Sequence, residues 1–247
     1  RKEIHQLTDQ ERNSFIDAVV RLKSDGTYNR LVESHINSFP YAHSTPGFFP
    51  WHRQFLKQFE MALQQIDSRL SVPYWDWTLD SQAPELSKVF QWFGGNGAGP
   101  RRCVEDGPFA NWQIEIPERS CLRRTFNLQS KIAPFYAPEV INQIISNSDT
   151  YEELREAIEG GPHGTVHMGV NGDMSRMGST NDPLFWLHHS FVDKIWTEWQ
   201  IAHPAQASEY HGINAHNKEE ASADDTLPPF GIPVSAILDH RKLCYEY

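Results

Sequence analysis

Twelve histidines in 247 residues are the most chemically loaded feature of this chain, and their positions matter more than their number. His163 and His167 stand four residues apart behind Pro162, so one helical turn puts both rings on one face. That spacing suits a shared metal. His52 falls on the same helical stripe as Phe55, Leu56 and Phe59, where a lone imidazole is more often a hydrogen-bonded core residue than a ligand. His188 and His189 are adjacent inside the apolar run 183–202 and point about 100° apart on a helix, so at most one joins the others. With His35 and His43 upstream of His52, two groups emerge: His35, His43 and His52, and His163 and His167 with one member of the 188/189 pair. Three neutral imidazoles suit copper, zinc, iron or nickel. Neither group brings a bridging carboxylate and the H-E-x-x-H pattern is absent, which places copper ahead of zinc.

The elements that must position these rings read as helices. Thr8 and Glu11 form a capping box ahead of Phe15, Val19, Val20 and Leu22, with Gly26 as a stop. A short helix is predicted over Tyr28 to Ser38. Pro50 is a plausible first helical residue before Phe55, Leu56, Phe59, Leu63 and Ile66. A second capping box, Thr150 and Glu153, opens a helix that Gly160 and Gly161 end. The last helix begins at Asn181-Asp182-Pro183 and stops near His203-Pro204. Residues 78–120 and 203–236 read as loop, rich in Gly, Pro and polar residues. The glycines of 94–99 have no strand before them and no helix after them, so they fail as a dinucleotide fingerprint. The expected fold is mainly α: a helical bundle with long irregular loops and little sheet, as one domain over 1–247.

Composition narrows the partners. A net charge of −10 without a Lys/Arg run argues against nucleic acid and anionic lipid, and the chain has no stretch of 18 apolar residues to span a membrane. Three cysteines without C-x-x-C spacing exclude a cysteine-rich zinc module. Cys103 and Cys121 either close a short loop as a disulfide or remain two thiols, with Cys244 unpaired. The disulfide would favour a secreted or extracellular setting. Arg1 opens the chain without methionine or an apolar leader, as expected if a leader was removed or the sequence trimmed.

The chain resembles the tyrosinase and catechol oxidase family, the type 3 copper proteins that include molluscan haemocyanin units. The resemblance lies in Arg1-Lys2 with Leu7-Thr8, Ala42-His43 through Phe49-Pro50-Trp51-His52-Arg53, Pro73-Tyr74-Trp75-Asp76-Trp77, Pro162-His163-Gly164-Thr165-Val166-His167, Asn181-Asp182-Pro183-Leu184-Phe185-Trp186-Leu187-His188-His189 and the closing Tyr245-Glu246-Tyr247. It implies a binuclear site for two copper ions, with O2 as co-substrate and small phenols as substrates. His35, His43 and His52 would bind the first ion. His163, His167 and His189 would bind the second, leaving His188 in the core or behind a ligand. Asp193, one turn after His189, would either orient a ring by a hydrogen bond or lie on the helix surface. Asp76 would tie a loop.

Glu159 matches the acidic residue that in relatives holds a water near the second copper, its alternative being a helix-end carboxylate facing solvent. Gly164 stands where several hydroxylating members carry Asn, so catechol oxidation is expected ahead of phenol hydroxylation. Met177 aligns with the position that gates access over the second copper and Met168 follows the second ligand of that set; the alternative for either as a gate residue is core packing. No cysteine lies near His43, so the thioether to a copper-binding histidine found in some members is absent. The resemblance thus implies a copper polyphenol oxidase, with a reversible O2 carrier and an o-aminophenol oxidase as rivals. Carriers of this family bear an additional covering domain; since the sequence ends at Tyr247, an open site is expected.

Overall fold

The computed structural model describes all residues from Arg1 to Tyr247. The Thr8 hydroxyl accepts the Glu11 N–H while the Glu11 carboxylate accepts the Thr8 N–H, so α1 (Asp9–Ser24) starts where the capping box puts it. Gly26, at φ 81°, makes the left-handed turn into α2 (Thr27–Asn37), whose buried face is Tyr28, Val32 and His35. The single turn α3 (Phe39–Ala42) ends at His43, which has extended backbone. Helix α4 (Phe48–Gln64) begins two residues before Pro50, and proline is tolerated there because a first-turn N–H has no intrahelical partner.

Besides the single turn α3, two helices lie outside those read from sequence, α5 (Lys88–Phe93) and α6 (Pro138–Asn147). The latter lacks a side-chain cap but has Pro138 in its first turn and buries Ile141 and Ile145. Helix α7 (Tyr151–Ile158) carries the second capping box. A wide turn over Glu159–His163, kinked at Gly161, leads into α8 (Gly164–Val170), and α9 (Leu184–Ala202) closes the helical set. Sheet is limited to two antiparallel pairs, β1 (Gln113–Ile114) with β2 (Ser120–Cys121) and β3 (Thr226–Leu227) with β4 (Ile232–Pro233). The mainly α architecture with little sheet is the expected one. Cys103 and Cys121 are joined as a disulfide, and Cys244 is free.

One seam positions the site. Helices α4 and α9 run antiparallel, as their aromatic pairs show: Phe49 stacks on Trp196 at 5.3 Å, His52 on His189 at 4.3 Å and Phe59 on Trp186 at 3.8 Å. Such pairs add about 0.5–1.5 kcal/mol each beyond the area they bury. The start of α9 is pinned by polar contacts. The Asp182 carboxylate accepts the Leu184 N–H and a two-pronged Arg124 contact at 2.8 Å for each oxygen. The Tyr28 hydroxyl donates to the Thr180 carbonyl and accepts from the Trp186 indole. No helix is long and apolar enough to cross a membrane.

Candidate metal centre

Both predicted histidine groups come together. The ring nitrogens of His35, His43 and His52 lie within 4.8 Å of one another, and so do those of His163, His167, His188 and His189. Backbone carbonyls fix four of the rings. His35 Nδ1 donates to the Met177 carbonyl at 3.3 Å, His52 Nδ1 to Phe48 at 2.8 Å, His163 Nδ1 to Glu159 at 2.9 Å and His167 Nδ1 to Met174 at 2.6 Å. A carbonyl can only accept, so the proton sits on Nδ1 and each Nε2 presents a lone pair.

Those Nε2 atoms converge. His43 and His35 approach at 3.1 Å between Nε2 atoms, and His167 and His189 at 3.3 Å. Two nitrogens at about 2.0–2.1 Å from one first-row ion stand roughly 3.3 Å apart at a tetrahedral angle. The Nε2 atoms of His52 and His163 are buried without any partner, a costly state that a bound ion relieves. On donor type, lone-pair direction and unpaired nitrogens, the residues fit two metal ions. The two groups are neighbours: His52 stacks on His189, and the His43 and His163 rings lie 6.2 Å apart.

Burial pushes the pKa of His35, His52, His163, His188 and His189 well below 6.5 and that of His167 to about 4. All six are therefore neutral at pH 7, the form that binds a metal. The sequence expectation that the 188/189 pair diverges needs one amendment, since both rings reach the second group. His189 faces His167 Nε2 and His52. His188 stacks on His163 at 5.3 Å and lies 6.3 Å from Trp77, with neither nitrogen hydrogen-bonded.

Asp193 is a correction. It is 3% exposed and hydrogen-bonds to no imidazole. Its Oδ1 accepts from Arg53 Nε at 2.6 Å; its Oδ2 accepts from Arg1 at 3.2 Å and from the Tyr245 and Tyr247 hydroxyls at 2.5 Å each. Guanidinium groups outcompete a neutral imidazole for a buried carboxylate. Asp76 ties its loop, accepting from the Thr78 N–H and hydroxyl.

Glu159 touches both groups. Its backbone carbonyl anchors His163, while its carboxylate accepts from the Ser44 N–H at 2.6 Å and Arg155 at 2.9 Å, with His43 Nδ1 at 3.7 Å. It does not face solvent as a free helix-end charge. Met168 and Met177 are 57% and 45% exposed, which removes core packing as their role. Gly164 has open space, a Cβ there meeting only the Glu159 carbonyl at 3.5 Å.

Two aromatic residues to which the sequence reading gave no role of their own border the site. Phe48 lies 4.9–6.4 Å from His43, His52, His163 and His189, and Phe185 lies 4.1 Å from His189 and 5.1 Å from His35. Each precedes a ligand candidate by four residues, a helical spacing that sequence displays.

Comparison with known proteins agrees with this geometry. Residues 25–202 match the common central domain of tyrosinase. The chain is 37% identical over 266 residues to a tyrosinase of Streptomyces glaucescens, covering 97% of this chain and 96% of that protein. It is 34% identical over 269 residues to a tyrosinase of Streptomyces antibioticus, covering 98% and 97%. Its fold is similar to that of a polyphenol oxidase variant from Thermothelomyces thermophila, with TM-score 0.84 at 21% identity over 100% of this chain and 88% of that one. A functional unit of octopus hemocyanin shares the fold at TM-score 0.72 and 23% identity, over 100% and 67%. Tyrosinase-family proteins bind two copper ions, and the two histidine groups are compatible with that pair. A match of this length and identity makes one assignment: the chain belongs to the tyrosinase family.

Proposed function

We propose that this chain is a binuclear copper oxidase that uses O2 to convert o-diphenols into o-quinones. The observation that carries the reading is the pair of adjacent histidine groups whose inward Nε2 atoms are aligned by backbone carbonyls and, at His52 and His163, have no partner. His35, His43 and His52 would hold one copper; His163, His167 and His189 would hold the other. When bound, the two copper ions would supply two of the four electrons that reduce O2 to water, each o-diphenol giving two more on becoming a quinone.

The remaining work falls to the chain's own side chains. Burial keeps the imidazoles neutral, and Phe48 and Phe185 exclude water from the space between the groups. His43 and His167 are the less buried ligands, so a phenol would approach from their side and stack on an imidazole. Phe39, partly exposed and 4.8 Å from His43, offers an apolar rim there, with Met168 and Met177 as gate residues. Glu159 accepts one hydrogen bond on each carboxylate oxygen and keeps lone pairs with which it would hold a water near the second group, but Gly164 has no side chain to hold that water with it. Ortho-hydroxylation of monophenols is therefore the secondary activity. The Cys103–Cys121 disulfide supports an oxidising, extracellular setting as part of the proposal.

Oxygen consumption by the copper-loaded protein on addition of a simple catechol tests the reading. Sustained uptake with quinone formation is expected. Stoichiometric, reversible O2 binding without turnover would replace the oxidase with a carrier.

A further inference from the structure

His43 is the exception among the ligand candidates. Four others donate Nδ1–H to a backbone carbonyl, and His189 is fixed in α9 between the rings of His52 and Phe185. His43 has extended backbone outside any helix, a side chain 14% exposed and no carbonyl at Nδ1. The next residue, Ser44, sits in the left-handed region at φ 54°, a conformation uncommon for a serine. Glu159 contacts this turn: its Oε1 accepts the Ser44 N–H at 2.6 Å and stands 3.7 Å from His43 Nδ1.

Glu159 is itself clamped. Its Oε2 accepts from Arg155 Nη1 at 2.9 Å, and Arg155 is gripped in turn by Glu152 at 3.0 and 2.7 Å and by Glu156 at 3.1 Å. Arg155 is 7% exposed, one turn before Glu159 on α7, and the Thr150–Glu153 capping box fixes the start of that helix. The path from a rigid helix to a ligand on a loop is continuous.

We propose that Arg155, Glu159 and the Ser44 N–H form a latch that positions His43, doing by hydrogen bonds what a thioether to cysteine would otherwise do. Arg155 and Glu159 are thus positioning residues of the first group. The inference rests on His43 binding copper, as in the proposed function. It also accounts for a carboxylate that lies against both histidine groups with a hydrogen bond on each oxygen.

The test is copper per chain against a graded chelator, for the copper-loaded protein and its Arg155→Met, Arg155→Lys and Glu159→Ala variants, alongside melting of the metal-free forms. Wild type should hold two coppers. Arg155→Met and Glu159→Ala should release one of them at a chelator concentration about 10–100-fold lower, the usual effect of losing a group that orients a ligand. Arg155→Lys should recover part of the loss. In a His43→Ala background, Arg155→Met should change copper retention no further, because the latch acts through that ring. Retention of both coppers at the wild-type chelator concentration would overturn the latch even if melting falls, and so would additive losses in the His43→Ala background. A wild-type protein that binds fewer than two coppers would instead sink the proposed function and this inference with it.

Discussion

Asp193→Asn removes one charge from the centre of a buried cluster and keeps the side-chain volume. The wild-type carboxylate satisfies Arg53, Arg1, Tyr245 and Tyr247 at once. Removing one partner of a buried ion pair costs about 3–5 kcal/mol because the other charge is left uncompensated. Arg53 is fully buried but keeps the Leu238 carbonyl, Thr197, Gln200 and its stack on Trp196 at 3.7 Å, which points to the lower half, about 3–4 kcal/mol. At about 2–4 °C per kcal/mol for a chain of this size, melting should fall by roughly 6–16 °C. Burial by itself would raise the Asp193 pKa; Arg53 and Arg1 outweigh it and hold the carboxyl below its ordinary value. A folded pKa below the unfolded one contributes stability at neutral pH that is lost as pH falls through the folded value. The gap between wild type and variant should therefore be full at pH 7 and close below about pH 4. Thermal melts of the metal-free proteins at both pH values, with copper stoichiometry beside them, decide the matter. Unchanged melting at pH 7 together with loss of one copper would refute the cluster and restore Asp193 as the group that orients His189.

Two further outcomes follow from the geometry. His189→Ala should leave one copper per chain while His188→Ala retains both, since only His189 brings a nitrogen to 3.3 Å from His167 Nε2; metal analysis with the opposite pattern would reverse the choice within the pair. Replacing Cys103 and Cys121 by serine frees a loop closed over a separation of 18 residues. That should lower stability by about 3 kcal/mol in a denaturant titration, without altering copper content.

The helices bearing His52 and His189 were legible because period and caps agree there: Phe55, Leu56 and Phe59 mark one side of α4, and Leu187, Phe191 and Ile195 run through α9. His43 is different. No periodicity marks an extended residue between two helices, so only its nearness in sequence to His52, and then the resemblance, placed it with the ligands. Asp193 was misread because sequence shows a residue one turn from His189 but not what faces it across the seam. The antiparallel pairing that sets His52 against His189 sets Arg53 against Asp193, and the other partners stand 52 to 192 residues away. Helix α6 was missed for want of a polar cap, although Pro138 and the Ile141/Ile145 pair carried its signal.

The same burial that makes the rings good ligands makes the metal-free protein vulnerable, and this gives a last prediction. Unpartnered buried nitrogens on His52 and His163 cost about 1–3 kcal/mol each. Copper at a hundredfold excess over its dissociation constant would stabilise the fold by about 2.7 kcal/mol per site. Acid sharpens the contrast. His167 titrates at about 4 when folded, against roughly 6.5 when unfolded, so the unfolded chain takes up the proton first. Stability is then full above 6.5 and is lost as pH falls; between pH 7 and pH 5 this ring alone accounts for on the order of 2 kcal/mol. His35, His52, His163, His188 and His189 are shifted in the same direction by the same burial. The metal-free protein should melt progressively lower from pH 7 to pH 5, while copper should stay on the buried rings across that range, because burial keeps His35, His52, His163, His167 and His189 neutral in the fold. A flat melting temperature for the metal-free form would mean that the rings are protonated in the folded state and that burial does not hold them ready for copper.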